Sequence, residues 1–119
     1  MINPKIVVGS IFSMSWGYDQ TNVNYFQVTR LSPSGVFVRE IAGKQVEGTG
    51  GNMCCSVVPQ KDVFLERSQW VGKKENGLGK DNSETFRRLK DVDAVAFSME
   101  GRYFAHLNDG KPQYMSWYH

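Results

Sequence analysis

The chain has little of what marks secreted or membrane proteins. It contains two cysteines in 119 residues, and they are adjacent, Cys54 and Cys55. Neighbouring residues of a strand point to opposite faces, so these thiols are badly placed to bond each other. The N-terminal residues lack the apolar run of roughly seven to fifteen residues that a signal peptide needs, and no segment approaches the ~20 apolar residues of a membrane span. We therefore expect a cytoplasmic protein without disulfides or membrane contact.

The chain also has little excess charge. Fourteen basic and twelve acidic residues leave a formal charge of +2, with 40% apolar and 13% aromatic residues. This balance is typical of an ordinary folded protein and is modest for a dedicated nucleic-acid binder. The length fits one domain, residues 1–119, with a core of its own.

Signatures of nucleotide and metal chemistry are missing as well. The glycine–lysine pairs at positions 43–44 and 72–73 lack the glycine spacing and the following serine or threonine of a phosphate-binding loop. The soft metal-ligand candidates are Cys54, Cys55, His106 and His119. They lack the paired spacing of zinc sites, so we expect no metal and no cofactor. We favour a non-catalytic protein; the open alternative is a small enzyme using Asp19, Cys54 or His106, which would have to meet in one pocket.

What is present is period-two alternation with twelve glycines, which predicts many short strands joined by turns. The N-terminal half contains strand patterns at Ile11–Trp16, Val23–Leu31, Val36–Ile41 and Met53–Val58. Pro59 is expected to end the last of these or to leave it at a sheet edge. The predicted fold is mainly β, a small antiparallel sheet or an SH3-like partly open barrel of roughly five to eight strands, with at most one short helix.

The C-terminal half is less regular. The segment from Trp70 to Ser83 is predicted to be the longest loop. Ser83–Lys90 fits either a helical turn capped by Ser83 or an extension of a strand at Ala94–Met99. Asp109-Gly110 is a strong hairpin signal and predicts that Arg102–Leu107 pairs with Gln113–Tyr118.

The segment between the first two strands combines aromatic residues with a polar tip. Its candidate binding residues are Trp16, Tyr18, Asp19, Gln20, Asn22 and Tyr25. The aromatic side chains could form a platform that stacks on a base or grips a peptide, with the polar groups beside it. The same string is also explained by strand burial and by Asx turns around Gly17, so a purely architectural role is the competing interpretation.

The same residues carry a family resemblance. Gly9, the run Trp16–Asn22, Tyr25–Val28 and the late turn Asp109–Pro112 resemble a family of small uncharacterised proteins encoded by bacteriophages and mobile elements. The resemblance spans nearly the whole chain. It implies a phage or mobile-element origin and a strand-rich fold, and it implies no mechanism.

A second candidate surface is the basic segment between residues 67 and 90. Its candidate nucleic-acid contacts are Lys73, Lys74, Arg87 and Arg88, with Trp70 and Phe86 interleaved. A solvated loop is the competing interpretation, because acidic residues follow at once. With the phage or mobile-element origin that the resemblance implies, we favour a binding module that acts on a host protein complex, such as an inhibitor of anti-CRISPR or anti-restriction type. A nucleic-acid-binding β-barrel that uses the basic segment is the alternative.

Overall fold

The protein is built from antiparallel strands. The computed structural model describes residues 4–16, 22–45, 54–75, 79–89, 95–99, 103–108 and 113–116, and this part contains no helix. The strands are β1 (Ile11–Trp16), β2 (Asn22–Leu31), β3 (Gly35–Gln45), β4 (Cys54–Phe64), β5 (Lys74–Glu75), β6 (Gly79–Lys80), β7 (Thr85–Arg88), β8 (Ala96–Met99), β9 (Tyr103–Asn108) and β10 (Gln113–Ser116). The predicted mainly β fold is confirmed.

One curled sheet contains eight of these strands. Its order is β10-β4-β3-β2-β1-β9-β8, and β7 pairs with β3 beside β4. Strands β5 and β6 form a separate two-stranded ribbon. Leu89, which follows β7, forms an isolated bridge with Phe97 of β8 and no ladder. The sheet therefore curves around a core without closing, which fits the prediction of a small antiparallel sheet.

The inner face of the curl holds the main hydrophobic core. Alternation sends every second side chain of each strand inward. The buried members from the sheet and its flank are Phe12, Met14, Phe26, Val28, Val36, Val38, Leu89, Phe97, Met99 and Ala105. The ring centres of Phe12 and Phe97 lie 4.8 Å apart. Burying a side chain of this kind contributes roughly 1.5–3 kcal/mol, so this cluster supplies the largest share of the driving force for folding.

A smaller cluster lies on the other face of β2 and β3. Tyr25, Ile41 and Val57 are its buried members. Gly43 makes room for Tyr25, since a Cβ at position 43 would lie 3.1 Å from the tyrosine ring. The Tyr25 hydroxyl donates to the Val57 carbonyl at 2.9 Å, which ties β2 to β4 across β3.

Asn82 fills a gap along one edge of β3. Residues 35–38 of that edge pair with β7 and residues 41–45 pair with β4, which leaves Glu40 between them. The Asn82 Oδ1 accepts from the Glu40 backbone N–H at 2.7 Å, and Nδ2 donates to the carbonyls of Glu40 and Leu65 at 3.0 and 2.6 Å. Asn82 is fully buried with φ 56°, a left-handed conformation that asparagine tolerates better than most residues. Its side chain thus replaces a missing strand residue.

The predicted C-terminal hairpin is wrong. Strand β9 pairs with β1 and β8, whereas β10 pairs with β4, so the two strands are far apart in the sheet order. The turn at 109–110 lies outside the described residues. The Asp109-Gly110 turn signal does not decide the pairing of β9, because β1 is an apolar partner strand for it, with Phe12 opposite Leu107.

The helical option for Ser83–Lys90 is also wrong, because Thr85–Arg88 forms strand β7. Phe86 on this strand covers Gly35 of β3, where an added Cβ would lie 2.9 Å from the ring. The ring centres of Phe86 and Phe37 are 5.3 Å apart. Such cross-strand aromatic packing favours the extended conformation over a helical turn.

Two further predictions need correction in part. The segment from Trp70 to Ser83 is not a continuous loop, because it contains the short ribbon of β5 and β6. Pro59 does not end β4, which continues to Phe64. Pro59 is paired with Gly43 of β3, and the described part of β10 pairs with residues 54–57 of β4. The alternative of a sheet edge at Pro59 depends on residues 111–112, which lie outside the described residues.

Candidate functional site

A pocket of about 440 Å³ opens at one end of the main core. Strand register places Met14 opposite Asn24 and Phe26 opposite Glu40. Asn24 and Glu40 therefore continue the inner rows of β2 and β3 beyond the last apolar positions. We call this site the mouth pocket; it is lined by Asn24, Glu40, Leu65, Arg67, Ser68, Gln69, Trp70 and Gly79. Mouths of curled sheets and barrels are common ligand sites.

Glu40 is the acidic side chain of the mouth pocket. It is 5% exposed. Its Oε1 accepts from the Ser68 hydroxyl at 2.5 Å, and its Oε2 accepts from the Asn24 amide at 2.8 Å. An ionised carboxylate offers about four acceptor positions, so two are left after these contacts with described residues. The carboxylate is held in place and keeps capacity for a ligand.

The environment of Glu40 disfavours its charge. Burial raises the pKa of the Glu40 carboxyl above its ordinary value, and the hydrogen bonds from Ser68 and Asn24 offset part of that rise. No basic side chain among the described residues contributes to the shift. Carboxylates with raised pKa values in pockets are enriched at functional sites, although structural networks produce them too.

Ser68 positions the segment that covers the pocket. Its Oγ donates to Glu40 and accepts from the backbone N–H groups of Trp70 and Val71 at 3.0 and 3.2 Å. Its backbone forms two hydrogen bonds with Lys80, at 3.0 and 2.9 Å. The segment around Ser68 is therefore held by a side-chain hydrogen bond to Glu40 and by backbone hydrogen bonds to β6.

Trp70 forms an apolar wall of the pocket and joins it to the core. The residue is 6% exposed, and its ring meets Tyr103 edge-on at 5.9 Å between centres. The Trp70 carbonyl accepts from Arg87 Nη2 at 2.9 Å and from Lys80 Nζ at 3.4 Å. Two cations thus anchor the backbone of this wall.

The predicted hairpin site is only partly within the described residues. Tyr18, Asp19 and Gln20 lie outside them. The backbones of Trp16 and Asn22 form the last register pair of β1 and β2. This pair is the second one beyond Met14 and Asn24, where the mouth pocket lies. The described base of the predicted hairpin therefore lies at the end of the sheet where the pocket opens.

Tyr25 lies on the opposite face, in the smaller core. It is 2% exposed and donates to the Val57 carbonyl. Burial raises the pKa of its phenol to about 12. A ring buried to this degree has no free face for stacking, so Tyr25 serves the fold.

The four predicted basic contacts separate into two groups. Lys73, Lys74 and Arg88 are exposed, whereas Arg87 is half-buried and bonded to the Trp70 carbonyl. In β7, Arg87 and Arg88 alternate, so their side chains leave opposite faces of the strand. The four cations do not form one stripe.

The soft ligand candidates also lie apart along the sheet. Cys54 begins β4 and His106 lies in β9, with three strands between them in the sheet order. Asp19 is outside the described residues. In the part of the chain that the structure describes, no group of three or more histidine, cysteine or acidic side chains is arranged to hold a metal ion.

Sequence reasoning did not single out Glu40, although a signal was present. Val36 and Val38 share the inner face of β3, and Glu40 is the next residue on that face. A charge that continues an apolar row of a strand predicts either a strand end or a buried polar site. The distant partner Ser68 could not be assigned without the fold.

Within the described ranges, no helix is long and apolar enough to cross a membrane. The sequence matches no protein-family model, and neither a curated protein nor a solved structure matches the chain.

Proposed function

We propose that this protein is a non-catalytic binding module that recognises a host protein at the mouth pocket. The observation that carries this proposal is the position of Glu40, a buried carboxylate in the wall of a pocket that keeps acceptor capacity after its contacts with the described residues. Pockets of a few hundred Å³ with a few oriented polar groups are typical recognition sites.

The hairpin supports the choice of a protein as the partner. Its described base, Trp16 and Asn22, lies at the end of the sheet where the mouth pocket opens. The run that follows contains Tyr18, Asp19 and Gln20. Tyrosine and tryptophan are favoured anchors in protein interfaces, where a central pocket is surrounded by a rim of weaker contacts. The mouth pocket is the candidate for the centre of such a patch, and the aromatic and polar residue types of this run suit its surroundings.

The biological setting of the proposal rests on the sequence resemblance. A phage or mobile-element origin places the module in the cytoplasm of a bacterial host. A small binding protein in that setting acts by occupying a host complex, such as a restriction or CRISPR complex. These points remain predictions.

Site-directed photocrosslinking tests the proposal. A photoreactive residue at Gln69, which is exposed and lines the pocket, is compared with one at Ser34, which is exposed at the β2–β3 turn. Ser34 lies six positions before Glu40 along the chain, about 20 Å at the rise of a strand. In bacterial lysate we expect a defined covalent adduct from position 69 that unlabelled wild-type protein competes away, and none from position 34. Equal adducts from both positions, or none from position 69, would contradict the proposal.

The nucleic-acid alternative predicts a different result. Lys73, Lys74 and Arg88 would then bind oligonucleotides with an affinity that falls steeply as salt increases. Replacing all three by alanine would remove that binding and leave the adduct at position 69 unchanged if the protein-binding proposal is correct.

A further inference from the structure

Among the described residues, Glu40 has no cationic partner. Its two side-chain partners, Ser68 and Asn24, are both neutral donors, and no described basic group forms an ion pair with it. Burying an ionised carboxylate without a counter-charge is costly, even when hydrogen bonds compensate part of the lost hydration. A cation that enters the pocket would therefore gain an attraction that no described residue supplies.

The rest of the pocket suits an organic cation better than a metal ion. Glu40 is the single acidic group among the lining residues, whereas Ca²⁺ and Mg²⁺ require several oxygen ligands. Trp70 and Leu65 supply apolar wall. The alkyl stem of a long basic side chain packs well on such surface, and a tryptophan ring attracts a nearby cation.

We propose that the mouth pocket binds a lysine or arginine side chain of the partner protein, whose charged end pairs with the Glu40 carboxylate. This inference rests on the proposed function for the source of the side chain. The Ser68 hydroxyl and the Asn24 amide orient the carboxylate beforehand, so the pair forms without a further ordering cost for Glu40. Arg67, the other ionisable lining residue, is exposed at the rim.

Four small probes test the chemistry of the pocket directly. They are the Nα-acetyl methylamides of lysine, arginine, citrulline and norleucine, and citrulline is a neutral analogue of arginine with nearly the same shape. Binding is followed by amide and indole NMR signals of Ser68 and Trp70 in the full chain. We expect the two cationic probes to shift these signals saturably and the neutral pair to bind about tenfold more weakly or not at all.

Two variants link the effect to Glu40. Glu40→Gln keeps the size of the side chain and removes its charge, so we expect it to weaken the cationic probes about tenfold. Glu66→Gln is the matched control, because Glu66 is an exposed carboxylate in the same segment that does not line the pocket. It should bind as the wild type does. If Glu40→Gln disturbs the fold, the comparison of arginine with citrulline on wild-type protein still decides.

The outcomes separate this inference from the proposed function. Equal binding of arginine and citrulline probes, or failure of all four to bind, would overturn the cation site even if Gln69 still crosslinks to a partner. Selective binding of the cationic probes without an adduct at position 69 would support the cation site. Its ligands would then be small cationic molecules in solution. In that case the proposal of a protein partner would be wrong.

Discussion

Asn82 and Glu40 are neighbours at the edge of β3, and both are buried, but they use their polar atoms differently. The Asn82 amide is bonded to backbone groups of Glu40 and Leu65, which no ligand could replace without opening the sheet. The Glu40 carboxylate is bonded to two side chains and lines a pocket. The comparison shows that burial alone does not identify a site: the partners of a polar group decide whether it serves the fold or remains available to a ligand.

The largest expected effect is at Asn82. Asn82→Ala leaves the Glu40 N–H without its partner in the gap between β4 and β7, and it places alanine at φ 56°. We expect a loss of about 3 kcal/mol in the free energy of unfolding, measured by urea denaturation. Asn82→Gly accepts the left-handed conformation and so isolates the hydrogen bonds, and it should still lose most of this amount. A loss below about 1 kcal/mol in both variants would mean that Asn82 is not essential to the edge.

A smaller effect is expected at Tyr25, which resembles Asn82 in bonding to backbone. Tyr25→Phe removes the hydroxyl that donates to the Val57 carbonyl and keeps the buried ring. We expect a loss of about 1 kcal/mol in urea denaturation. Alkaline titration should show a phenol with a pKa of about 12 in the wild type that is missing in the variant. A tyrosine of ordinary pKa at this position would contradict its burial.

The smallest expected effect on stability is at Glu40, and it depends on pH. Because burial raises the folded-state pKa above the ordinary value of 4.5, the folded protein keeps a proton that the unfolded chain releases. The free energy of unfolding should therefore fall as pH rises from about 4.5 through the raised pKa, and then level off.

Glu40→Gln cannot titrate, so the part of this fall that comes from position 40 should disappear, while Glu66→Gln should keep it. Chemical denaturation at a series of pH values gives both curves. Identical slopes for wild type and Glu40→Gln would show that Glu40 titrates normally and would weaken the contrast with Asn82.

The parts of the fold that the sequence predicts are those in which local pattern and tertiary burial agree. Strands β1 and β2 follow from alternation, because their inner residues Phe12 and Phe26 are apolar and face the core. The pairing of β9 with β1 could not be predicted from the sequence around either strand. Asp109-Gly110 favours a hairpin, and the neighbouring sequence does not indicate that β9 pairs with β1 instead.

The mouth pocket was harder to predict for the same reason. Its wall joins Glu40 to Ser68, 28 residues later in the chain, through one hydrogen bond. Alternation could have placed Glu40 on the inner face, but Ser68 lies outside any regular strand. The described base of the hairpin that the sequence singled out, Trp16 paired with Asn22, lies at the end of the sheet where the pocket opens. Sequence reasoning did not identify Glu40 inside the pocket.

The pairing of β1 with β9 also sets a constraint on how the protein is made. Ile11 has Asn108 as its register partner, so nearly the whole described chain separates them. Phe12 packs against Phe97, which is synthesised late. At roughly 5–20 residues per second the ribosome needs on the order of ten seconds to reach that point. During this time the apolar side of β1 and β2 is incompletely covered, so the nascent chain offers chaperones a binding surface that the finished protein hides.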